Sequence, residues 1–346
     1  MQQQDEINEM EPSYTVIIGV CALVGSVTLI RVWGLPQMVV ASIWKIIAHW
    51  VMLRAMAVRR SFSSSEWSLQ KKMLDLGEAG FLMRWKREFI RGSVILGSGT
   101  YADVYTVNET AFPSHPPLCV KKFKKYRLAL EQACDEAHKL LQVKSVTGVP
   151  HLVGICVRPP AIIMTQHGSV TLYDYLSDIL SYPGDLSILR VLRRLCVILD
   201  DIHQLDLTHN DVKQDNVSVE VKSDDVVVTL LDFGFLTPAG HVHDHVLNKF
   251  NPKGNLKLRA ENEELRRQKY PWYAPELFLD NIASRASDTY SLIRLVKLCL
   301  RIMRVPPPGI TRWIIKGMDL NPVVRPTLSR FGHYLSEEIG RRLSRP

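Results

Sequence analysis

The chain has 346 residues, with 43 Lys and Arg against 35 Asp and Glu, a formal charge of +8. That length holds one large domain or two ordinary ones. The basic residues are dispersed, with no aromatic-interleaved stripe, which excludes nucleic acid as the expected partner and leaves acidic or phosphate-bearing ones.

The six cysteines, Cys21, Cys119, Cys134, Cys156, Cys196 and Cys299, show no C-x-x-C spacing and sit mostly in apolar runs. They read as reduced thiols packed in a cytosolic domain rather than as disulfides or zinc ligands.

Residues 1–13 form a short acidic N-terminus with four acids and no Lys or Arg. Residues 14–33 read as one transmembrane helix. Positions 14–30 carry no charge, at the short end of what crosses ~30 Å of hydrocarbon, with a buried core helix as the alternative. The acidic flank argues against a cleaved signal peptide. Basic residues begin at Arg31 and continue through Lys45, Arg54, Arg59 and Arg60. The positive-inside rule then places the C-terminal side of this helix in the cytosol, as a single-pass membrane protein.

Residues 34–88 read as a juxtamembrane region. Its apolar stretch at 38–53 contains Lys45, which at the centre of a span costs ~2.5–3.5 kcal/mol. An interfacial amphipathic helix on the lipid surface is expected, with Trp44 and Trp50 at the headgroup level and a two-span hairpin as the alternative. A basic, Ser-rich linker occupies 59–65. The spacing of Leu69, Met73 and Leu76 predicts a helix over 66–88.

Residues 95–107 read ILGSGTYADVYTV, two β-type runs flanking glycines two apart. Such a turn lets backbone N–H groups approach phosphates. A short strand at 118–123 carries Lys121 and Lys122, which alternate in facing. Helical spacing comes next at 131–142, then strands at 151–156 and 161–164, and helices at 172–180 and 186–205. Residues 207–236 then read LTHNDVKQDNVSV, a polar turn at 222–225, and VVVTLLDFG. This predicts a hairpin with acids at both ends. Asp211, Asn216 and Asp232 suit a Mg²⁺ ion on a polyphosphate, because that ion takes a few oxygen ligands plus phosphate oxygens.

Residues 207–236 resemble the protein-kinase catalytic loop H-R-D-x-K-x-x-N followed by D-F-G. The match is His209, Asp211, Lys213, Asn216 and then Asp232-Phe233-Gly234. Gly97, Gly99 and Val104 resemble the family's glycine-rich loop, with Ala102 at the third glycine. By register, Cys119 and Lys121 stand at the Ala and Lys of V-A-I-K. Glu136 stands at the αC acid, with Glu131 as its rival. Ala274-Pro275-Glu276 resembles A-P-E, Asp288 the buried aspartate after it, and Arg325 the late arginine that pairs with Glu276. The resemblance implies an α+β, bilobal protein-kinase-like fold over 89–335, with a small β-rich lobe carrying one helix and a larger, mostly helical lobe. Residues 336–346 are left as a basic tail.

It also implies roles. Asp211 takes the hydroxyl proton, Lys213 steadies the phosphoryl group, and Asn216 and Asp232 hold Mg²⁺. Lys121, set by Glu136, grips the phosphates of ATP. Met164 limits the adenine pocket and Gln166 lies in the hinge, with Cys119 and Val104 lining the nucleotide. His209 is expected to be structural, and His203 to pack or cap. The expected partner is a protein substrate, with Ser/Thr favoured over Tyr. Lys213 speaks for Ser/Thr and Trp272 for Tyr, and the Thr of a Ser/Thr kinase's substrate-facing loop falls at Lys269. The alternative is a membrane-anchored pseudokinase scaffold that binds but transfers nothing.

The sequence departs from the family in places. Asn210 replaces the arginine that receives an activation-segment phosphate. Only Thr237, Tyr270 and Tyr273 offer hydroxyls between Asp232 and Glu276, so switching by phosphorylation is not expected. That segment is long, a helix is expected at 257–269, and His241, His243 and His245 alternate in it. They read as a solvated loop before a metal cluster.

Overall fold

The computed structural model describes residues 64–124, 128–168, 170–177, 183–223, 225–242, 268–279 and 282–344. The segments read at 14–33 and 38–53, most of the helix read at 257–269, and His243 and His245 lie outside them. Among the described residues no helix is long and apolar enough to cross a membrane.

In chain order come α1 (Ser64–Glu78), β1 (Leu82–Met83), β2 (Ile95–Ser98), β3 (Ala102–Thr106), β4 (Leu118–Phe123), α2 (Ala129–Gln142), β5 (Leu152–Cys156) and β6 (Ala161–Thr165). Next are β7 (Val170–Thr171), α3 (Leu172–Ser177), α4 (Asp185–Gln204), β8 (Leu207–Thr208), β9 (Val217–Lys222), β10 (Asp225–Leu230) and β11 (Thr237–Pro238). Helices α5 (Pro275–Leu279), α6 (Arg285–Cys299), α7 (Ile310–Gly317) and α8 (Leu328–Leu343) complete the order. The chain divides into two compact units. Of the described residues, one gathers those up to 105 with those of 120–138 and 153–163, and the other holds those of 106–119, 139–152 and 164 onward.

The first unit is built on a six-stranded sheet in the order β1-β5-β6-β4-β3-β2. The β2–β3 hairpin shifts register between Ile95 and Gly97, a bulge that bends the strand as it enters the glycine turn. Helix α2 buries Ala133, Cys134, Ala137 and Leu140, one stripe at helical spacing.

Helix α1 is shorter than its periodicity suggests. Gly80 adopts φ 81°, the Phe81 N–H donates to Leu76 O at 2.9 Å, and the Gly80 N–H to Gly77 O at 3.0 Å. This paired closure through a left-handed glycine stops the helix and releases the chain to form β1, which pairs parallel with β5. Met73 and Leu76 of α1 are buried. The Lys72 ammonium pairs with Asp135 on α2, and Lys72 O meets His138 Nε2 at 2.9 Å. A Cβ on Gly154 would stand 2.0 Å from Met83 Sδ, so a larger residue in β5 would have to displace the Met83 thioether lying against it.

In the second unit α4 is the central helix, burying Ile188, Leu192, Leu195, Leu199 and Ile202. Gly332 lets α8 approach it, because an added Cβ would meet Cys196 Cβ at 3.2 Å. Strands β9 and β10 form the expected hairpin, with Lys222 opposite Asp225 and Val217 opposite Leu230. The five described cysteines are free and buried. Burial pushes the thiols of Cys134, Cys156, Cys196 and Cys299 up to about 12.

Leu76 has no exposed surface. Leu76→Ala is expected to cost about 2–5 kcal/mol, read as a lower urea midpoint with early loss of amide protection in α1 and β1.

Candidate active site

The site in the second unit starts from a buried carboxylate. Ser284 caps α6 through a reciprocal bond with Ser287, which sets Asp288 in the first turn. Asp288 is fully buried. It accepts the His209 N–H at 2.8 Å, the Asn210 N–H at 2.8 Å and His203 Nε2 at 3.0 Å. Burial pushes its carboxyl up. The hydrogen bond and charge of His203, with further help from His209 and the Asn210 N–H, outweigh that and hold it below the usual carboxylate range.

The anchored backbone then turns. Asn210 has φ 66°, a left-handed geometry that Asn tolerates better than most residues. Its Nδ2 donates to Thr208 O at 3.1 Å and Phe235 O at 3.1 Å. The chain therefore uses Asn210 to tie β8 to the stretch after Asp232. His209 accepts the Asp211 N–H on Nδ1 at 3.3 Å and donates from Nε2 to Leu231 O at 3.2 Å. Each nitrogen has one role, as in a neutral ring. Burial holds its pKa below the ordinary value, against the pull of Asp288, Asp211 and Asp232.

Asp211 is 1% exposed. Its Oδ2 accepts Lys213 Nζ at 2.7 Å and Asn216 Nδ2 at 2.7 Å, and its Oδ1 accepts Trp272 Nε1 at 2.8 Å. Asn216 also donates to Asp211 O at 2.9 Å, so its amide oxygen is turned away from Asp211. The Lys213 ammonium lies 5.0 Å from the centroid of the Trp272 ring. Burial first and the Asp211 charge second push the Tyr273 phenol well above its ordinary range.

The β9–β10 hairpin joins the other acid to this cluster. Leu231 N–H donates to Asn216 O at 2.8 Å, so strand pairing sets Asp232 one residue beyond Asn216's partner. Asp232 has φ 62°, and strain of this kind is characteristic of functional sites. Phe233 is fully buried and meets the His209 ring edge-on at 5.0 Å.

In the first unit Lys121 Nζ lies 2.7 Å from Glu136 Oε1. Lys122 sits 5.8 Å from the centroid of the Trp85 ring instead. Gly99 N–H closes the glycine turn on Ala102 O at 2.8 Å, and Val104 pairs with Gly97. A Cβ on Gly97 would meet nothing within 4 Å. The chain's own packing does not call for glycine there. Cys119, Met164 and Gln166 belong to the second unit. Cys119 is buried, and the Gln166 N–H donates to Pro117 O at 2.8 Å.

Arg325 grips Glu276 through two bonds of 2.6 and 2.8 Å, the bidentate form. Three contacts were not read from sequence: Trp272 on Asp211, His203 on Asp288, and Lys139 Nζ on Gly234 O at 2.6 Å. Only Lys139 had a local signal, one turn after Glu136 on the same helix face.

Asn216 and Asp232 offer an amide and a carboxylate oxygen, hard donors that fit Mg²⁺ sharing phosphate ligands. Among the described residues no cluster of three or more His, Cys, Asp or Glu could hold a metal. A family model described as protein tyrosine and serine/threonine kinase matches residues 90–297. A comparison with curated proteins finds no match.

His209 is held neutral in the fold and protonates near its ordinary value of about 6.5 when unfolded. Its contribution is complete above that value and is lost as pH falls below it. The melting temperature is expected to drop between about pH 7 and pH 5, with His209→Gln flattening that slope in a calorimetric series.

Proposed function

The chain belongs to the protein tyrosine and serine/threonine kinase family, and on that premise we propose that it is a membrane-anchored kinase that transfers the γ-phosphoryl group of ATP to Ser or Thr hydroxyls of a protein. The observation that carries this reading is the Asp211 carboxylate, buried and held by Lys213 and Asn216.

Asp211 accepts the proton of the attacking hydroxyl. Its orientation is fixed by three N–H donors, so little reorganisation is needed at the moment of transfer. Lys213 brings a positive charge beside the transferring group. Asn216 and Asp232 would hold Mg²⁺, which would supply positive charge against that developing on the phosphates. Lys121, steadied by Glu136, serves the α- and β-phosphates. Gly97 and Gly99 supply a bare backbone turn to them, and Val104, Cys119, Met164 and Gln166 serve the adenine side. The preference for Ser and Thr is supported by Lys213 two residues after Asp211. Membrane anchoring is supported by the uncharged run at 14–30 and the basic residues C-terminal to it.

Asp211→Asn is expected to cut turnover at least ~100-fold, the scale of a proton-accepting group, with ATP binding retained. Radiolabelled transfer followed by phosphoamino-acid separation checks both the chemistry and the residue type. A wild-type chain that binds Mg²⁺-ATP and phosphorylates neither itself nor any protein would leave the scaffold reading in its place.

The full chain is expected to resist extraction by alkali. On sealed vesicles with the cytosolic side out, a C-terminal tag should be cleaved by protease and an N-terminal tag protected. Cleavage of both tags would replace the single span with a two-span hairpin or none.

A further inference from the structure

Asp232 has a left-handed backbone, with φ 62° and ψ 82°. A residue with a side chain stays in that region only when its surroundings over-determine it. The next three residues, Phe233–Phe235, form one 3₁₀ turn, and the bonds made there decide where the carboxylate points. The bond from Asp232 itself is the longest of them. Its Oδ1 accepts the Gly234 N–H at 3.4 Å.

Each carbonyl of the turn has a donor. The Leu236 N–H donates to Phe233 O at 3.1 Å. Asn210 Nδ2 and Thr237 Oγ1 donate to Phe235 O at 3.1 and 3.0 Å. Lys139 Nζ donates to Gly234 O at 2.6 Å. Of these donors only the Lys139 ammonium carries a charge, and charge-assisted bonds are the stronger kind. Lys139 lies in the last turn of α2 and is half-buried. A lysine there commonly serves the end carbonyls of its own helix. Here the ammonium reaches a carbonyl 95 positions along the chain, within the same unit. Leu140 and Val143 beside it are buried, so its stem starts from packed backbone.

We propose that Lys139 is a positioning residue for Asp232: by holding the Gly234 carbonyl it keeps the turn in the conformation that presents the Asp232 carboxylate to Mg²⁺ on the nucleotide. This rests on the reading of Asp232 as a metal-binding acid. The route is the backbone of the turn, so Lys139 acts on the metal site through another residue. Without the ammonium the turn samples other conformations, and the carboxylate is presented for a smaller fraction of the time. Apparent affinity falls by that fraction. The loss falls on binding that needs Mg²⁺, not on binding of the nucleotide by itself.

The experiment uses the full-length chain as wild type, Lys139→Met and Lys139→Arg. The control is Lys144→Met, which removes an exposed ammonium just past α2. Affinity for adenylyl imidodiphosphate, a non-hydrolysable ATP analogue, is measured by calorimetry with and without Mg²⁺. Amide exchange is followed over residues 232–237. In Lys139→Met the gain in affinity from Mg²⁺ is expected to shrink about 10-fold, with metal-free affinity within about 2-fold, the low end for a group that orients a metal ligand. The Leu236 amide should exchange faster. Lys139→Arg, which keeps a charged donor, should recover most of the gain, and Lys144→Met should match wild type. Once Asp232→Asn has removed the carboxylate, adding Lys139→Met should change nothing further, because both act on one site. An unchanged gain in Lys139→Met, an equal loss with and without Mg²⁺, or a further loss on top of Asp232→Asn overturns the proposal and leaves Lys139 a helix-end charge. Should Lys139→Met melt early, Lys139→Gln, with a neutral donor on a shorter stem, is judged by the same outcomes. A wild type that binds the analogue no better with Mg²⁺ overturns the metal reading of Asp232 itself, and this proposal with it.

Discussion

The structure depends on the ionised Asp288 carboxylate, sealed inside the second unit and satisfied by two backbone N–H groups and His203. A buried charge is tolerated only when its desolvation is offset by hydrogen bonds and opposite charge. Here the offsetting groups are the backbone of His209 and Asn210, so neutralising the charge and shaping the loop are one event. The side chains of the loop are placed by that anchor. His209 is pinned between the Asp211 N–H and Leu231 O, and Asn210 is forced into a left-handed turn. Asp211 is thus delivered to its three donors by a backbone that has little freedom left.

A second buried charge pair obeys the same logic. Arg325 has no exposed side-chain surface and satisfies Glu276, Ala286 O and Asp319 O together. Ser287 adds a bond to Glu276 at 3.0 Å, and Ser287 is also the residue that closes the cap of α6. The cap that presents Asp288 and the pair that fixes α5 are therefore joined through one hydroxyl. Removing either partner of the Arg325–Glu276 pair would strand a buried charge, which costs more than the pair itself contributes.

The first unit solves a different problem. The Lys121 ammonium is largely out of water, and Glu136, on α2, supplies its counter-charge at 2.7 Å. What steadies α2 includes α1, which precedes the stretch shared with the family. Its contacts with Asp135 and His138 fall on either side of Glu136, so an element outside the shared region bears directly on the helix that carries the acid.

Much of this was legible in the sequence because it is local. The hairpin of 217–230 shows in two β-branched runs on either side of a polar turn. Asp211, Lys213 and Asn216 sit within one short stretch, and Lys121 was separable from Lys122 because strand side chains alternate. The end of α1 was legible in principle through Gly80, since the apolar spacing of Leu69, Met73 and Leu76 stops before it, but the expected helix was extended to 88. Bonds between residues far apart in the chain were expected only where the family resemblance supplied them, as for Arg325 and Glu276. The others spacing could not show. Trp272 meets Asp211 across 61 positions and His203 meets Asp288 across 85. Spacing carries information only over a helical turn or a strand pair. Which indole reaches which carboxylate is decided when α6 packs under the loop, and that packing is a property of the fold.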